Sequence, residues 1–485
     1  MSSDEPTYLG GRPPVDGRER ELREYGVLAI AAILGACALV LVANVPVLYA
    51  VGVLPALAYL LLCVRRPVWG CATLVLATPL IEGLGRGTVI PFLRPSEAML
   101  ALLVAGVLVH EIPRRQLRNF LAMDVAVLAY ALGVVLVPVL YLLFTRGGGD
   151  LTSWFNIFSP LQYLAVYLLF SRIGTTDRDR RLFLNLALAG SVIVSLVGLA
   201  QLANVPGLQS FLDAHYPIEG ESTSVCLYGV CRPGSLMQHY SAFGAFSLLN
   251  YTIALALLAG RQVRGFDRRW LVFVLAVDGM GVFVSQTVAA VVGLALATAI
   301  VLIHRGTLPK QLLYVAIALA LGIAVFWSDI SSRIAQQFPV GTQSIAGVPL
   351  PESMGVRLQY WGQLFWPELQ PVIWTGSGNS VPDVPASLQN YVDNEYLGMG
   401  FRAGAVGVIL LLMMFAVLAR TAWRTKWSRD PFEAAVGSMA LAFVVVLAVI
   451  GTTAEYLLFA GFAQVLWMVI GMLAGFRVPA RASPD

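Results

Sequence analysis

Apolar residues run along this chain in blocks of about 18–24, divided by short polar segments. About twenty residues at 1.5 Å each cross about 30 Å of hydrocarbon, so each block predicts a membrane helix. The blocks fall near 26–44, 46–64, 67–84, 96–112, 119–143, 157–172, 182–203, 240–260, 270–285, 287–303, 311–327, 396–418, 433–451 and 455–474. The expected fold is therefore an all-α polytopic integral membrane protein with about fourteen transmembrane helices. The pattern divides into a polar N-terminal tail (1–25), N-terminal transmembrane helices (26–203), a first large loop (204–239), central helices (240–327), a second large loop (328–395), C-terminal helices (396–474) and a short tail (475–485).

Composition sharpens this picture. Hydrophobic residues make up 58% of the 485 and charged residues only 12%, against about 25% charged in a soluble domain, so the chain cannot cover a water-facing surface. Arginine placement then sets the orientation, because cytoplasmic loops collect basic residues. With the N-terminus inside, 25 of the 32 Lys and Arg fall in the tails or inner segments, such as Arg114, Arg115 and Arg118, or Arg178, Arg180 and Arg181. Both termini are then cytoplasmic, and the two large loops face outward. The first apolar block follows Arg12, Arg18, Arg20 and Arg23 and runs into a second, which reads as an uncleaved hairpin rather than a signal peptide. The net charge of +4 suits a membrane surface and calls for no nucleic-acid partner.

Candidate chemistry gathers in the two large loops, where long connections usually carry function. Cys226 and Cys231 lie in the first, and an outer loop permits a disulfide between them. Cys37, Cys63 and Cys71 fall in apolar blocks and read as small core residues. Seven arginines stand on the outer side against the positive-inside bias: Arg86, Arg94, Arg146, Arg232, Arg333, Arg357 and Arg402. Arg86, Arg94, Arg146 and Arg333 read as headgroup anchors or loop ion pairs. Arg232 ends the first loop in Cys231-Arg232-Pro233-Gly234-Ser235. Arg357 lies in a segment where Val356, Tyr360, Leu364 and Phe365 recur at helical spacing and Trp361, Trp366 and Trp374 add interfacial aromatics, predicting an amphipathic helix on the membrane face. Arg402 falls in the first turns of the next span, where an unpaired charge is costly.

The second loop ends in Asp393-Asn394-Glu395-Tyr396-Leu397. Two carboxylates just before a helix cap it in the bland reading. In the sharper one, a partly desolvated carboxylate takes a proton from a hydroxyl. Arginines facing that base suit the departure of a diphosphate, which they grip bidentately and whose charge they stabilise without a metal. Of the four histidines, His110 and His304 read as structural, whereas His239, seven residues after Arg232, is a candidate substrate contact. Glu221 and Asp383 are further candidates for orienting an acceptor. Asp278 is the clearest charge inside a predicted span. No nucleotide loop, zinc signature or Ser-His-Asp spacing is present in the sequence, so neither a cofactor nor a metal is expected.

Three of these pieces resemble the O-antigen ligase/polymerase family of membrane glycosyltransferases. Arg232-Pro233-Gly234-Ser235 leading to His239-Tyr240 is similar to the family's Arg-x-x-Gly element before a Pro-Asn at a helix start. Arg357, Trp361 and Gly376-Ser377-Gly378 resemble its Arg, Trp and Gly-x-Gly run. Asp393-Asn394-Glu395-Tyr396-Leu397 with Gly404 and Gly407 resembles its His-Asn-x-Tyr-Leu and Gly-x-x-Gly run. The set covers roughly residues 185–420. Asp393 replaces the family's histidine, and His239 stands near its Pro-Asn.

The resemblance implies transfer of a glycan from a polyprenyl diphosphate carrier to an acceptor hydroxyl outside the bacterial cytoplasmic membrane, by a polysaccharide polymerase or ligase. Arg232 and Arg357 would hold the diphosphate with support from Arg402, Arg86 or Arg94. Asp393 would be the base, with Glu395 as helper or alternative, and His239, Glu221 or Asp383 would contact the acceptor. Attack opposite the leaving group would invert the anomeric centre. Implied partners are the carrier-linked glycan, a glycan or glycolipid acceptor, membrane lipids and a polysaccharide export complex. The rival expectation is a transporter or flippase of lipid-linked glycans, with arginines along a central cavity and charges at the midplane.

Overall fold

The computed structural model describes residues 47–85, 93–111, 121–145, 151–216, 224–378 and 392–476, apart from 175, 228–229, 238, 261–262, 264, 306–310, 339–343, 346–347 and 350. In chain order the elements are α1 (Val47–Arg65), α2 (Pro67–Ile81), α3 (Pro95–Glu111), α4 (Ala122–Thr145), α5 (Leu151–Phe158), α6 (Leu161–Arg172), α7 (Asp177–Leu202), α8 (Leu208–His215), β1 (Ser224–Leu227) and β2 (Val230–Pro233). There follow α9 (Tyr240–Ala259), α10 (Arg268–Val284), α11 (Val288–Arg305), α12 (Gln311–Val325), α13 (Trp327–Gln337), β3 (Ser344–Ile345), β4 (Val348–Pro349), α14 (Glu352–Tyr360), α15 (Trp366–Leu369), α16 (Glu395–Thr425), α17 (Pro431–Ile450) and α18 (Ala460–Gly475). The protein is all-α; among the described residues its strands form only two two-stranded hairpins.

The chain divides into two compact units, residues 1–70 with 101–118, and residues 71–100 with 119–485. In the first, His110 Nδ1 lies 2.9 Å from the Val64 carbonyl, which makes this histidine structural, as expected. Cys63 here and Cys71 in the second unit are buried.

The second unit is built around α9, buried at every residue from Ser241 to Ala259. Its surroundings are α7, α10, α11, α17 and α18, while α4 packs on α16 and α6 on α18. A helix apolar all round demands such a setting. Polar caps fix where the helices start. Thr176, Asp267 and Asp430 accept backbone N–H groups at the heads of α7, α10 and α17, each such cap being worth about 1 kcal/mol.

Five helices among the described residues are long and apolar enough to cross a membrane, α4, α7, α9, α16 and α17. A sixth is counted if Leu312–Val325 and Ile330–Gln337, bent by 78°, form one broken span. This is fewer than the expected fourteen. The block at 26–44 lies outside the described residues, and α1, α2, α3, α11 and α18 contribute shorter apolar helices of 10–17 residues. The last block begins at Ala460 rather than 455, which leaves Glu455 in the connection between α17 and α18. The two long loops also differ from expectation. Residues 204–239 contain α8 and the β1–β2 hairpin, and residues 328–395 contain most of α13, the β3–β4 hairpin, α14 and α15.

α16 is broken inside its length, where Ala403 and Gly404 leave helical geometry. Segment 373–377 fills the break. Ser377 N donates to the freed Phe401 carbonyl at 2.7 Å, and Ala405 N donates to the Ile373 carbonyl at 2.6 Å. Gly404 has φ of +63°, and a Cβ there would overlap the Trp374 carbonyl, so only glycine meets both demands. The glycines at 376 and 404, far apart in sequence, thus belong to one joint.

Candidate functional site

One cleft of about 690 Å³ gathers three arginines from three different elements. β2 carries Arg232, α13 carries Arg333 and α14 carries Arg357. Two carboxylates, Asp393 and Glu352, share the lining with them. Val288, Ala289 and Val292 of α11, with Val449 and Ile450 of α17, make an apolar wall, while Thr287, Thr452, Thr453 and Ser353 add hydroxyls.

Each arginine is held differently. Arg232 is buried. Its guanidinium lies over the Tyr240 ring at 3.2 Å, and Nη2 donates to the Gln286 carbonyl at 3.4 Å. Its Nε has no hydrogen-bond partner among the described residues. Burial, with repulsion from Arg333 and Arg357, lowers this guanidinium to about 10. With its amide oxygen turned toward Arg333, Gln337 accepts from that guanidinium at 3.0 and 3.2 Å. Arg357 Nε pairs with Asp393 Oδ2 at 3.2 Å.

Packing fixes the last pair. Phe365, Leu369, Val392 and Phe401 form a buried cluster with Trp361, Leu364, Val372 and Leu397 around it. Trp361 Nε1 donates to the Val392 carbonyl at 2.9 Å. The expected amphipathic segment is therefore anchored in protein at Trp361 and Phe365, while Val356, Arg357 and Tyr360 line the cleft; Trp366 and Trp374 remain exposed. Asp393 takes φ of +52°, a turn that aspartate tolerates better than most residues. Asn394 then caps α16, accepting from Tyr396 N at 3.0 Å and Leu397 N at 3.1 Å. Capping thus falls to Asn394 and leaves the carboxylate of Asp393 to the cleft.

Several expected residues take other places. Arg94 pairs with Glu82 at 3.0 Å and is not among the residues lining the cleft. Arg402 does not line it either; it lies in the field of Glu395 and Glu455. Glu395 is buried and accepts from Leu457 N at 3.1 Å, so it braces the 451–459 connection instead of facing the cleft. His239 caps α9, with Nδ1 accepting from Ser241 N at 3.2 Å, and its ring lies between Tyr240 and Phe459. Burial, then Arg232 and Arg357, lower its imidazole to about 4, so it is neutral at neutral pH. β1 and β2 set Cys226 directly opposite Cys231. Arg86, Glu221 and Asp383 lie outside the described residues.

Sequence reasoning missed Arg333 as a cleft residue. The signal was present: Trp327, Ile330 and Ile334 alternate at helical spacing with Arg333, Gln336 and Gln337. Glu455 was missed because it fell inside a predicted span. Asp278, expected as a charge inside a span, accepts from Ser191 at 2.7 Å and Ser195 at 2.8 Å. No protein-family model matches the sequence, and neither does any curated protein.

Proposed function

We propose that this protein is a membrane glycosyltransferase of the O-antigen ligase/polymerase-like kind, transferring a glycan from a polyprenyl diphosphate to an acceptor hydroxyl. The observation that carries the reading is the convergence of Arg232, Arg333 and Arg357 on one cleft with Asp393 and an apolar wall. A diphosphate attached to a hydrocarbon chain matches both halves of that lining. Guanidinium groups grip phosphate oxygens bidentately, and Val288, Val292 and Val449 offer the chain an apolar surface.

In this reading Asp393 accepts the proton of the acceptor hydroxyl as its oxygen attacks the anomeric carbon. The bond from that carbon to the diphosphate oxygen breaks with inversion, and the arginines stabilise the departing charge. Arg357 orients Asp393 in the resting site and turns toward the diphosphate when the carrier binds. The full proposal places the apolar helices in a bacterial cytoplasmic membrane, with both termini inside, the cleft facing outward, a Cys226–Cys231 disulfide bracing the hairpin that bears Arg232, and a polysaccharide polymerase or ligase activity. The arginine parity and the three sequence motifs support it. Asp278, which would mark an ion path in a transporter, has both oxygens taken by serine hydroxyls, which favours the transferase.

The test is covalent transfer. Purified protein, a polyprenyl-diphosphate-linked oligosaccharide and a chelator are combined, and glycan products are read by gel and mass spectrometry. Product from the wild type, lost in Asp393→Asn, is expected. Carrier movement across vesicles without covalent product would replace the transferase by a flippase.

A further inference from the structure

Behind the cleft lies a second charged group that the proposed reaction does not use. Glu395 of α16 and Glu455 of the α17–α18 connection lie within each other's field, with Asp393 on the cleft side and Arg402 on the same helix as Glu395. Gly398 follows Glu395 by one turn, and the Glu455 carboxylate occupies the space that a Cβ on Gly398 would fill. Glu395 in turn holds the connection through Leu457 N, and its own N–H donates to the Gly451 carbonyl at 2.7 Å. The two acids are thus clamped on one face of α16, next to the residue proposed as base.

Charge counting gives the group its role. Arg402 balances one of Glu395 and Glu455, and Arg357 is paired with Asp393. One carboxylate is left over beside another, and the like charge makes ionising both costly. The groups facing Glu455 are Glu395 and Arg402 of α16 and Asp393 before it. We propose that Glu455 is a positioning residue for the proton transfer, the acid that receives the proton from Asp393 after the acceptor hydroxyl has given it up. This rests on the glycosyltransferase reading.

The step balances. The acceptor O–H bond breaks and its proton bonds to Asp393; the proton then passes to ionised Glu455, and solvent removes it when the product leaves. Asp393 returns to its anionic form for the next acceptor. The relay runs only when Glu455 starts ionised. Burial and the charge of Glu395 push Glu455 up to about 8, with Arg402 opposing, so turnover rises as pH climbs toward that value.

The experiment is the pH profile of transfer with polyprenyl-diphosphate-linked oligosaccharide, for wild type, Glu455→Gln, Glu455→Asp and Asp393→Asn. Wild-type kcat is expected to rise about tenfold per pH unit below the Glu455 ionisation and to level above it. Glu455→Gln should lose that limb with KM for the carrier unchanged, and Glu455→Asp should keep a displaced limb. Asp393→Asn should be inactive at every pH. A wild-type limb retained in Glu455→Gln, with Asp393→Asn inactive, overturns the relay and leaves the transferase standing; an active Asp393→Asn overturns the base assignment beneath it. Infrared titration of the purified protein supplies a second reading free of turnover. A protonated-carboxyl band lost near pH 8 in the wild type and missing in Glu455→Gln supports the relay, and the same band in both overturns it.

Discussion

Arg94 and Arg172 each meet a buried carboxylate, Glu82 at 3.0 Å and Asp124 at 2.9 Å. Tyr167 adds a hydrogen bond to Asp124 at 2.6 Å. Among the described residues Arg232 and Arg333 form no ion pair; their guanidinium groups rest on the Tyr240 ring and on the Gln337 amide. Both kinds of arginine leave water, but only the first kind is closed by an opposite charge. A closed pair serves the fold and has little left to offer a ligand. An arginine held by a ring face and a neutral amide keeps its charge, at a cost that an arriving anion offsets. Three arginines against Asp393 and Glu352 leave the cleft with one surplus positive charge, which is the condition for binding a diphosphate.

The sharpest way to break that comparison is to remove one arginine of each kind. Arg232→Ala is expected to lower transfer on the order of a hundredfold to a thousandfold, the size of losing a charge stabiliser at a reacting centre, with helical circular dichroism unchanged. Arg94→Met should act on the fold instead. It strands Glu82 and should cost about 3 kcal/mol, while transfer per folded molecule stays within about twofold of wild type. Adding Glu82→Gln should recover most of the stability. If Arg94→Met abolishes transfer in folded protein, the division between closed and open arginines fails.

Arg333 tests the same division more gently. Arg333→Lys keeps the charge but loses the planar fork, and a reduction of about tenfold in carrier affinity is expected. Equal affinity in Arg333→Ala and wild type would make α13 a mere wall of the cleft.

The helical class and the two segments that carry the cleft arginines were legible from periodicity and from arginine placement. Arg232, Arg357 and Asp393 come together because Trp361 and Phe365 tie α14 to Val392, a contact that a single sequence can only hint at through its aromatics. Arg402 was expected beside them and Arg94 as a further support, since sequence shows the cost of an outer arginine but not the carboxylate that meets it. Glu82 lies twelve residues from Arg94, a separation that by itself suggests no pairing. The break at Gly404 was visible as a glycine and invisible as a joint, because its partner is the carbonyl of Trp374. Span count was the weakest part. Apolar length does not distinguish a crossing helix from the short or bent ones seen in α2, α11, α12 and α18.

The smallest expected effect lies in the acid stability of His239, and it sharpens the comparison because the cleft arginines help to set it. Its imidazole falls from the ordinary 6.5 to about 4 in the folded protein, through burial and then through Arg232 and Arg357. Between these values the unfolded chain binds the proton more readily than the folded one. The sign follows: stability is complete above pH 6.5 and declines as pH falls toward 4. His239→Asn keeps an acceptor for Ser241 N and cannot titrate, so thermal melts of that variant should lose part of the acid slope. Arg357→Ala should reduce the slope by removing one source of repulsion, and inorganic pyrophosphate bound in the cleft should do the same to the wild type by screening Arg232 and Arg357. Arg94→Met should leave it alone, because Arg94 is not among the charges acting on His239. An acid slope unchanged by both Arg357→Ala and pyrophosphate would mean that burial alone holds His239 neutral and that the cleft's positive field does not extend to the cap of α9.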